Sequence, residues 1–227
     1  MRRSILLLST LLLAAPAQAK DVTIGKTSIA LTLPAGFCDM DPSQASDDRI
    51  MKAVESMLAG ANRLLAMSAE CKQLTQWREG KRPLLSDFSQ VQTSTRMMEA
   101  ESPPNPQAAL KEICATLRTD GEKAVAGLAS DMKSRIEAAL KEVKQNQVRF
   151  LGVVAEDPTD CYAVIVQRMK AETGKDVTLM ALSATAYVKG KIVFYYLYAP
   201  YQNNYTVTAL LARHKTNVAA LLAANKN

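Results

Sequence analysis

The spacing of apolar residues changes along the chain, and the first part is predicted to contain a hairpin and a helix. Apolar and polar residues alternate in VTIGKTSIALTL on both sides of Gly25, which predicts two strands joined by a turn. The segment LPAGFC then places Cys38 at the end of this early β structure. From Asp47 the apolar residues recur at helical spacing as far as Leu65, which predicts a helix that ends just before Cys71.

The middle of the chain combines polar segments with strong helix breakers. QLTQWREGKR and DFSQVQTST are polar and β-leaning, which predicts a hairpin or a pair of strands at a sheet edge. ESPPNPQ, residues 101–107, contains three prolines and is predicted to be a loop inside the domain. Two amphipathic helices are expected next, separated at Thr119-Asp120-Gly121, and the second is expected to end near Val143.

The last third of the chain is predicted to hold four strands and a closing helix. Residues 157–160 form a turn signal between VRFLGVVAE and CYAVIVQRM, and the second segment is apolar on both faces, as in a central strand. A further turn signal at Lys189-Gly190 separates VTLMALSATAYV from KIVFYYLYAP. Asn203 or Asn204 is expected to cap the final helix. Its apolar stripe consists of Val207, Leu210, Leu211, His214, Val218, Leu221 and Leu222.

This order of elements predicts an α+β fold with a mostly antiparallel sheet and helices packed on both faces. Consecutive hairpins favour antiparallel pairing, and one face of a sheet could hardly bury the apolar stripes of four helices. The layout, with LPAGFC ending an early strand, the late hairpin YVKGKIVFYYLY and the terminal LLAANK, resembles the PsbP-like sandwich. The resemblance implies this fold and export, with a helical insertion at residues 107–143, and it implies no catalytic residue.

The first 19 residues have the composition of a signal peptide. Two arginines precede a short apolar run, and Ala17-Gln18-Ala19 is an A-x-A cleavage motif. The run is shorter than the ~20 apolar residues that a transmembrane helix requires, and no later segment is apolar enough to cross a membrane. We therefore predict cleavage before Lys20, a periplasmic or secreted protein, and a single α+β domain at residues 20–227.

The charge pattern argues against nucleic acid as a partner. The formal net charge of the whole chain is +6, and its basic residues are dispersed along the sequence. A nucleic-acid-binding surface usually needs a clustered basic stripe. The nine glycines are also dispersed, without a phosphate-binding loop, so no nucleotide cofactor is expected.

The four cysteines of the chain, Cys38, Cys71, Cys114 and Cys161, are predicted to form disulfides. They contain no C-x-x-C pair, and only one histidine accompanies them, which suits neither a zinc site nor a thiol-redox protein. Export favours disulfides. Three pairings are open, and we favour Cys38–Cys71 with Cys114–Cys161, because the first closes a strand end onto a helix end. In the chain-entropy model such a loop contributes roughly 3–4 kcal/mol to stability.

The residues that often support catalysis do not form a recognisable constellation in this sequence. His214 is the only histidine, and it falls on the apolar stripe of the last helix, so it is predicted to be a core residue. No G-x-S-x-G motif is present. Glu156, Asp157 and Asp160 form the one close acidic group between strands. Turn chemistry accounts for them, and a carboxylate pair for glycan hydrolysis is the alternative.

Six tyrosines lie between the late hairpin and the last helix. Tyr196 and Tyr198 are expected to share a strand face, and Tyr195 should point the other way. A tyrosine combines an apolar ring with a polar hydroxyl, which suits a glycan or a peptide, although tyrosine is also simply favoured in strands. Tyr195, Tyr196, Tyr198 and Tyr201 are the candidate ligand-binding residues.

These features favour a non-enzymatic binding or interaction module of the cell envelope, whose partner is an envelope protein or a glycan. The alternative is a small envelope hydrolase that uses a carboxylate pair. No metal and no cofactor is expected for the first interpretation.

Overall fold

The structure of the protein, a computed structural model, describes residues 19–58, 60–139, 143–171 and 176–226. The predicted signal peptide, apart from its last residue, lies outside them. The described strands are β1 (Ala19–Ile24), β2 (Thr27–Thr32), β3 (Phe37–Asp39), β4 (Asn62–Glu70), β5 (Phe88–Ser94), β6 (Val143–Asp157), β7 (Asp160–Ala171), β8 (Asp176–Val188) and β9 (Lys191–Pro200). The α-helices are α1 (Ala45–Leu58), α2 (Cys71–Arg78), α3 (Pro106–Ala139) and α4 (Asn204–Ala224).

Seven strands form one antiparallel sheet in the order β3-β4-β5-β9-β8-β7-β6, and β1 and β2 form a separate hairpin. The loop that contains ESPPNPQ separates two groups of strands in the sequence, and β5 and β9 join these groups in space. The predicted α+β class and the antiparallel pairing are therefore confirmed.

Helices cover both faces of the large sheet, as predicted. Paired residues of an antiparallel sheet point to the same face. Tyr162, Ala184 and Tyr195 are successive partners across β7, β8 and β9, and they pack in one core with α4 and the β1–β2 hairpin. Cys161, one residue before Tyr162, points the other way and packs against α3. The helices α1 and α2 pack on this second face beside α3, over β4.

The predicted turns and the final helix are found in the expected places. Lys189 and Gly190 both have positive φ, 46° and 77°, which matches the two-residue turn that suits the twist of a hairpin. Asn203 caps α4, because its side chain accepts a hydrogen bond from the Tyr205 amide at 3.0 Å. The predicted apolar stripe of α4 contributes to the core, where Leu210, Val218 and Leu221 are buried.

Both disulfides are present, in the pairing that we favoured from the sequence. Cys38–Cys71 joins β3 to the first residue of α2, and Cys114–Cys161 joins α3 to β7. The expected position of Cys38 at the end of the early β structure needs one correction. It lies within a short strand of its own, β3, because a turn at Gly36 (φ 77°) separates β3 from β2.

The prediction of one helix from Asp47 to just before Cys71 is wrong for its second half. The helix α1 ends at Leu58, Gly60 adopts a φ of 89°, and residues 62–70 form β4. The segment NRLLAMSAE is rich in good helix formers, so local propensity favours a helix there. Pairing with β3 on one side and β5 on the other buries Leu64 and Met67, and this tertiary pairing overrides the propensity.

The two polar segments predicted as weak edge strands also differ from the prediction. The first is mainly the helix α2, whose N-terminus is capped by the Glu70 carboxylate at the amides of Lys72 and Gln73. The second is β5, an interior strand. Its polar side chains are accommodated by hydrogen bonds within the sheet, such as Asn62 to Gln92 at 3.0 Å and the Ser68–Ser89 pair at 2.7 Å.

The two helices predicted on either side of Thr119-Asp120-Gly121 form one continuous helix, α3. Gly121 is buried, and a Cβ atom at this position would collide with the ring of Phe150 on β6. The glycine therefore serves close helix–strand packing instead of breaking the helix. The predicted second helix also extended to Val143, which the structure places at the start of β6.

Candidate functional site

The four candidate tyrosines do not form one surface, and the first of them is a core residue. Tyr195 on β9 is 2% exposed and faces α4. Its hydroxyl donates a hydrogen bond to the Thr32 carbonyl oxygen at 3.4 Å. Burial raises the pKa of the Tyr195 hydroxyl well above its ordinary value. Tyr195 therefore links β9 to the end of β2 from inside the protein.

Tyr196 and Tyr198 point to the opposite face of the sheet, as their spacing predicts. The ring of Tyr198 stacks on Phe88 with 4.2 Å between centroids, and the rings of Tyr196 and Tyr198 are 6.3 Å apart. Tyr198 is buried, Tyr196 is half-buried, and burial raises the pKa of the Tyr196 hydroxyl to about 12. Phe88, on which Tyr198 stacks, itself packs against the core beneath α1 and α2, so this tyrosine pair is largely shielded from solvent.

Tyr201 and Tyr205 lie at the junction between β9 and α4. Tyr201 is half-buried, and its hydroxyl donates to Asn204 Oδ1 at 3.2 Å. Tyr205 is 83% exposed, more than any other large apolar side chain of the described residues. The ligand-binding role of the four tyrosines named from the sequence stays a prediction. The exposed aromatic ring of this segment belongs to a fifth tyrosine, Tyr205.

Tyr205 borders a surface groove between the end of β9 and the first turns of α4, which we call the α4 groove. It encloses about 450 Å³. Its lining residues are Ala199, Pro200, Gln202, Asn203, Tyr205, Thr206, Ala209, Leu210 and Arg213. Thr206, Leu210 and Arg213 follow one another at intervals of four and three residues, so they lie along one side of the helix. The groove therefore runs along α4 from its N-terminus to Arg213.

The backbone at the mouth of the α4 groove is held by hydrogen bonds. The Tyr201 amide donates to the Thr178 carbonyl oxygen at 2.8 Å, which fixes the chain where β9 ends. The Thr206 hydroxyl accepts from the Asn203 amide at 3.3 Å, which completes a reciprocal capping arrangement with the Asn203 side chain. These bonds fix the backbone from which Tyr205 projects.

Among the residues that the structure describes, Arg213 is the only charged one that lines the α4 groove, and its charge is balanced. Its guanidinium donates to Asp87 Oδ1 at 2.7 Å and lies over the Phe37 ring, 4.9 Å from the centroid. A carboxylate at this distance offsets the positive charge. The groove is therefore close to neutral.

Sequence reasoning did not single out Gln202, Tyr205 or Arg213 as site residues. For Tyr205 a signal was available, because position 205 lies off the apolar stripe of α4, on a side expected to face water. Gln202 and Arg213 carried no comparable signal. Their position in one groove depends on how the end of β9 meets α4.

The acidic group at the β6–β7 turn is held in ion pairs. Glu156 binds Arg118 at 2.5 Å, and Asp157 binds Lys215 at 2.8 Å. Both carboxylates border a second open groove of about 510 Å³ beside the start of α3. Asp160 is buried and accepts a hydrogen bond from the Thr159 hydroxyl at 2.8 Å. Glu156 and Asp157 thus each have a cationic partner, so neither stands free at this groove.

His214 is completely buried, as its position on the apolar stripe suggests. Its Nε2 atom lies 2.8 Å from the Tyr195 carbonyl oxygen, so this nitrogen carries the hydrogen and donates. The rings of Tyr195 and Tyr162 approach it edge-on, with centroid distances of 4.9 and 5.8 Å. Burial lowers the pKa of the imidazole to about 4. His214 is therefore a neutral core residue, remote from solvent.

The part of the chain that the structure describes contains neither a grouped set of metal ligands nor a membrane-spanning helix. Within residues 19–58, 60–139, 143–171 and 176–226, no three His, Cys, Asp or Glu side chains are grouped as a metal site would require. None of the helices described here is both long enough and apolar enough to cross a membrane.

Comparisons with known proteins concern the layout of the fold. No family model matches the chain, and no curated protein matches it. The solution structure of cyanobacterial PsbP from Synechocystis sp. PCC 6803 is similar, with 16% identity, a TM-score of 0.41, and 92% of this chain and 96% of that one covered. The Ran-binding protein Mog1p of Saccharomyces cerevisiae is also similar, with 13% identity, a TM-score of 0.35, and 92% and 93% covered. The weak, layout-level likeness to PsbP is thus found again, and at these TM-scores it carries no argument about a ligand.

Proposed function

We propose that this protein is a non-enzymatic binding module of the cell envelope, which works in the periplasm or outside the cell after removal of its signal peptide. The observation that carries the binding role is the α4 groove with the exposed ring of Tyr205 at its mouth. A concave surface lined by apolar side chains with a few polar groups is the usual form of a small-ligand site, and a tyrosine at its edge offers both an apolar ring and a polar hydroxyl.

The two disulfides support the proposed compartment. Disulfides persist in oxidising environments such as the periplasm and the extracellular space, and they are rare in the cytosol. Cys38–Cys71 and Cys114–Cys161 account for all four cysteines of the chain. The arginines, apolar run and A-x-A motif of residues 1–19 point to the same destination.

The state of the titratable side chains supports binding over catalysis. General acid–base chemistry needs a group that reaches the substrate and exchanges a proton with it. His214 is buried in the core, and Glu156 and Asp157 are occupied by Arg118 and Lys215. Among the described residues, no observation favours the hydrolase alternative.

Export and contact at the groove can be tested in one experiment. The full chain is produced in a Gram-negative host with a photo-crosslinking amino acid at position 205, or at position 151 as a control. Leu151 on β6 is 50% exposed and lies away from the groove. We expect a periplasmic protein that has lost residues 1–19, and adducts with envelope material from position 205 only.

Three results would contradict the proposal. Retention of the unprocessed chain in the cytoplasm would remove the envelope role. Equal adduct yields from positions 205 and 151 would show that contact does not depend on the α4 groove. A measured turnover of envelope glycans by the purified protein would overturn its non-enzymatic character.

A further inference from the structure

Tyr205 holds its ring in solvent on a fixed stretch of backbone. Its ring is 83% exposed, although burial of a large aromatic side chain is favourable. The backbone below it is fixed, because the Tyr205 amide donates to Asn203 Oδ1 at 3.0 Å and the Gln202 amide donates to the Thr206 hydroxyl at 3.3 Å. A ring on a fixed backbone loses little conformational freedom when a flat ligand packs on it.

The α4 groove beside this ring contains both apolar and hydrogen-bonding side chains. Leu210 is buried at the base of the α4 groove, and the side chains of Ala199 and Ala209 are small. The Gln202 side chain is exposed and makes no hydrogen bond to any residue that the structure describes. An amide both donates and accepts hydrogen bonds. The groove therefore offers an aromatic face and a free amide, which match the apolar ring face and the hydroxyl groups of a sugar.

The pairing of β9 disfavours a peptide strand as the occupant of the α4 groove. A peptide that binds by strand addition needs a strand with an unpaired edge. The strand β9 is paired with β5 on one side and with β8 on the other. On the β5 side this pairing covers Phe194 to Tyr198, so only Ala199 and Pro200 extend past it toward the groove, and Pro200 has no backbone N–H to donate to an extended peptide.

The α4 groove is close to neutral. Arg213 supplies its charge among the described lining residues, and Asp87 balances this charge at 2.7 Å. An anionic ligand would have to compete with Asp87 for the guanidinium, so it gains little attraction at this site. A neutral groove fits a neutral ligand.

We propose that the α4 groove binds a neutral saccharide, with Tyr205 stacked against one sugar ring and the Gln202 amide bonded to its hydroxyl groups. This inference rests on the proposed binding function and names its ligand class. It assigns the stacking contact to Tyr205, which is not one of the four tyrosines named as candidates from the sequence. It also implies that Arg213 keeps its pairing with Asp87 when the saccharide is bound.

The test is a titration of the oxidised protein, followed by the backbone amide NMR signals of the groove. The probes are the neutral tetrasaccharides of N-acetylglucosamine, β-1,4-glucose and α-1,4-glucose, with tetragalacturonate as the anionic comparison. We expect at least one neutral probe to shift signals of residues 199–213 at millimolar concentrations. Tetragalacturonate should bind more weakly or not at all.

Matched variants assign the contact to individual side chains. Tyr205→Ala should weaken binding about tenfold or more, the equivalent of ~1.4 kcal/mol, whereas Tyr205→Phe keeps the ring and should bind almost as well as the wild type. Gln202→Ala should weaken binding by a smaller factor. Tyr205 is a surface residue, so both of its variants should fold, which unchanged amide spectra outside the groove would verify.

The possible outcomes separate this inference from the proposed function. Saccharide binding that is unchanged in Tyr205→Ala, or shifts outside the groove, would overturn the saccharide site. If no neutral probe binds and the crosslinker at position 205 captures a protein, the saccharide inference falls and the binding module remains. If neither a saccharide nor a protein is found at this position, both proposals fall.

Discussion

The two faces of the sheet are covered by helices that are held in different ways. On one face, α2 and α3 are tied down covalently and α1 packs against them, because Cys38–Cys71 fixes the start of α2 and Cys114–Cys161 fixes α3 to β7. On the other face, α4 has no covalent link to the sheet. It is held by apolar contacts and by two buried polar residues, His214 and Asn225.

This difference predicts how each face responds to changes in pH and in redox state. A disulfide is insensitive to moderate changes of pH and yields to reductants. A buried neutral imidazole is insensitive to reductants. Acid destabilises the fold around it, because the buried ring resists protonation. The α1–α3 face should therefore respond to the redox state and the α4 face to protons, and substitutions that separate the two responses test this comparison.

The largest effect is expected from loss of a disulfide on the α1–α3 face. In the double variant Cys114→Ala, Cys161→Ala, the unfolded chain regains the freedom of a loop of 47 residues. The chain-entropy model puts the loss of unfolding free energy at about 4 kcal/mol. Urea denaturation at neutral pH measures it. The matched variant Cys38→Ala, Cys71→Ala should lose a similar amount. Equal urea midpoints for the oxidised wild type and either variant would contradict the prediction.

The second effect is the response of the α4 face to acid. The pKa of His214 is about 4 in the folded protein and about 6.5 in an unfolded chain, so the unfolded state binds the proton first as the pH falls. The contribution of the neutral imidazole is complete above pH 6.5 and is lost as the pH falls toward 4. The unfolding free energy should drop by about 3 kcal/mol across this window.

The control for this pH response is the variant His214→Gln, which does not titrate. It should be less stable than the wild type at pH 7, because the packing against Tyr195 and Tyr162 is changed. Between pH 6.5 and 4 its stability should stay nearly constant. The same slope in both proteins would show that other groups cause the acid sensitivity.

The third effect concerns the C-terminal end of α4. The Asn225 side chain accepts from the Ala30 amide at 3.0 Å and donates to the carbonyl oxygens of Ala30 and Leu221, both at 2.8 Å. Asn225→Ala leaves these partly buried backbone groups without their partner, which should cost about 2 kcal/mol of unfolding free energy. The exposed Asn204 at the other end of α4 is the control, and Asn204→Ala should cost clearly less. Comparable losses in the two variants would contradict this role of Asn225.

The smallest effect is expected from Gly121→Ala in α3. Alanine is the better helix former by about 1 kcal/mol, but its methyl group would collide with the Phe150 ring. Overpacking costs typically ~1–3 kcal/mol, so we expect a net loss of about 1 kcal/mol. Combining Gly121→Ala with Phe150→Leu should recover part of it, which a double-mutant cycle of urea midpoints measures. A more stable Gly121→Ala variant would show that the helix is not in close contact there.

The sequence allowed accurate prediction where local and tertiary preferences agree. The stripe of α4, its cap at Asn203 and the turn at Lys189-Gly190 follow from short-range patterns that the fold keeps. The prediction failed where tertiary contacts override local ones. NRLLAMSAE has helical propensity and becomes a strand, because β3 and β5 pair with it on both sides.

The candidate site was less predictable than the fold. Strand spacing correctly placed Tyr196 and Tyr198 opposite Tyr195, but it does not reveal which face a helix will cover. The helical insertion was expected to break at Thr119-Asp120-Gly121, because glycine is a poor helix former, whereas in the structure Gly121 makes room for the ring of Phe150. The α4 groove is formed where β9 meets α4. The geometry of this junction depends on contacts between segments that are far apart in the sequence.

The pairing of β5 with β9 has a consequence for how the chain assembles in time. Strands β6 to β9 pair with their neighbours in sequence, whereas Phe88 of β5 meets Tyr198 only after about a hundred intervening residues. Local hairpins form faster than contacts between distant segments. Strands β6 to β9 should therefore pair early, and the pairing of β5 with β9 should form last. Pulse-labelling hydrogen exchange during refolding should protect amides in β8 before those in β5, and simultaneous protection would rule out this order.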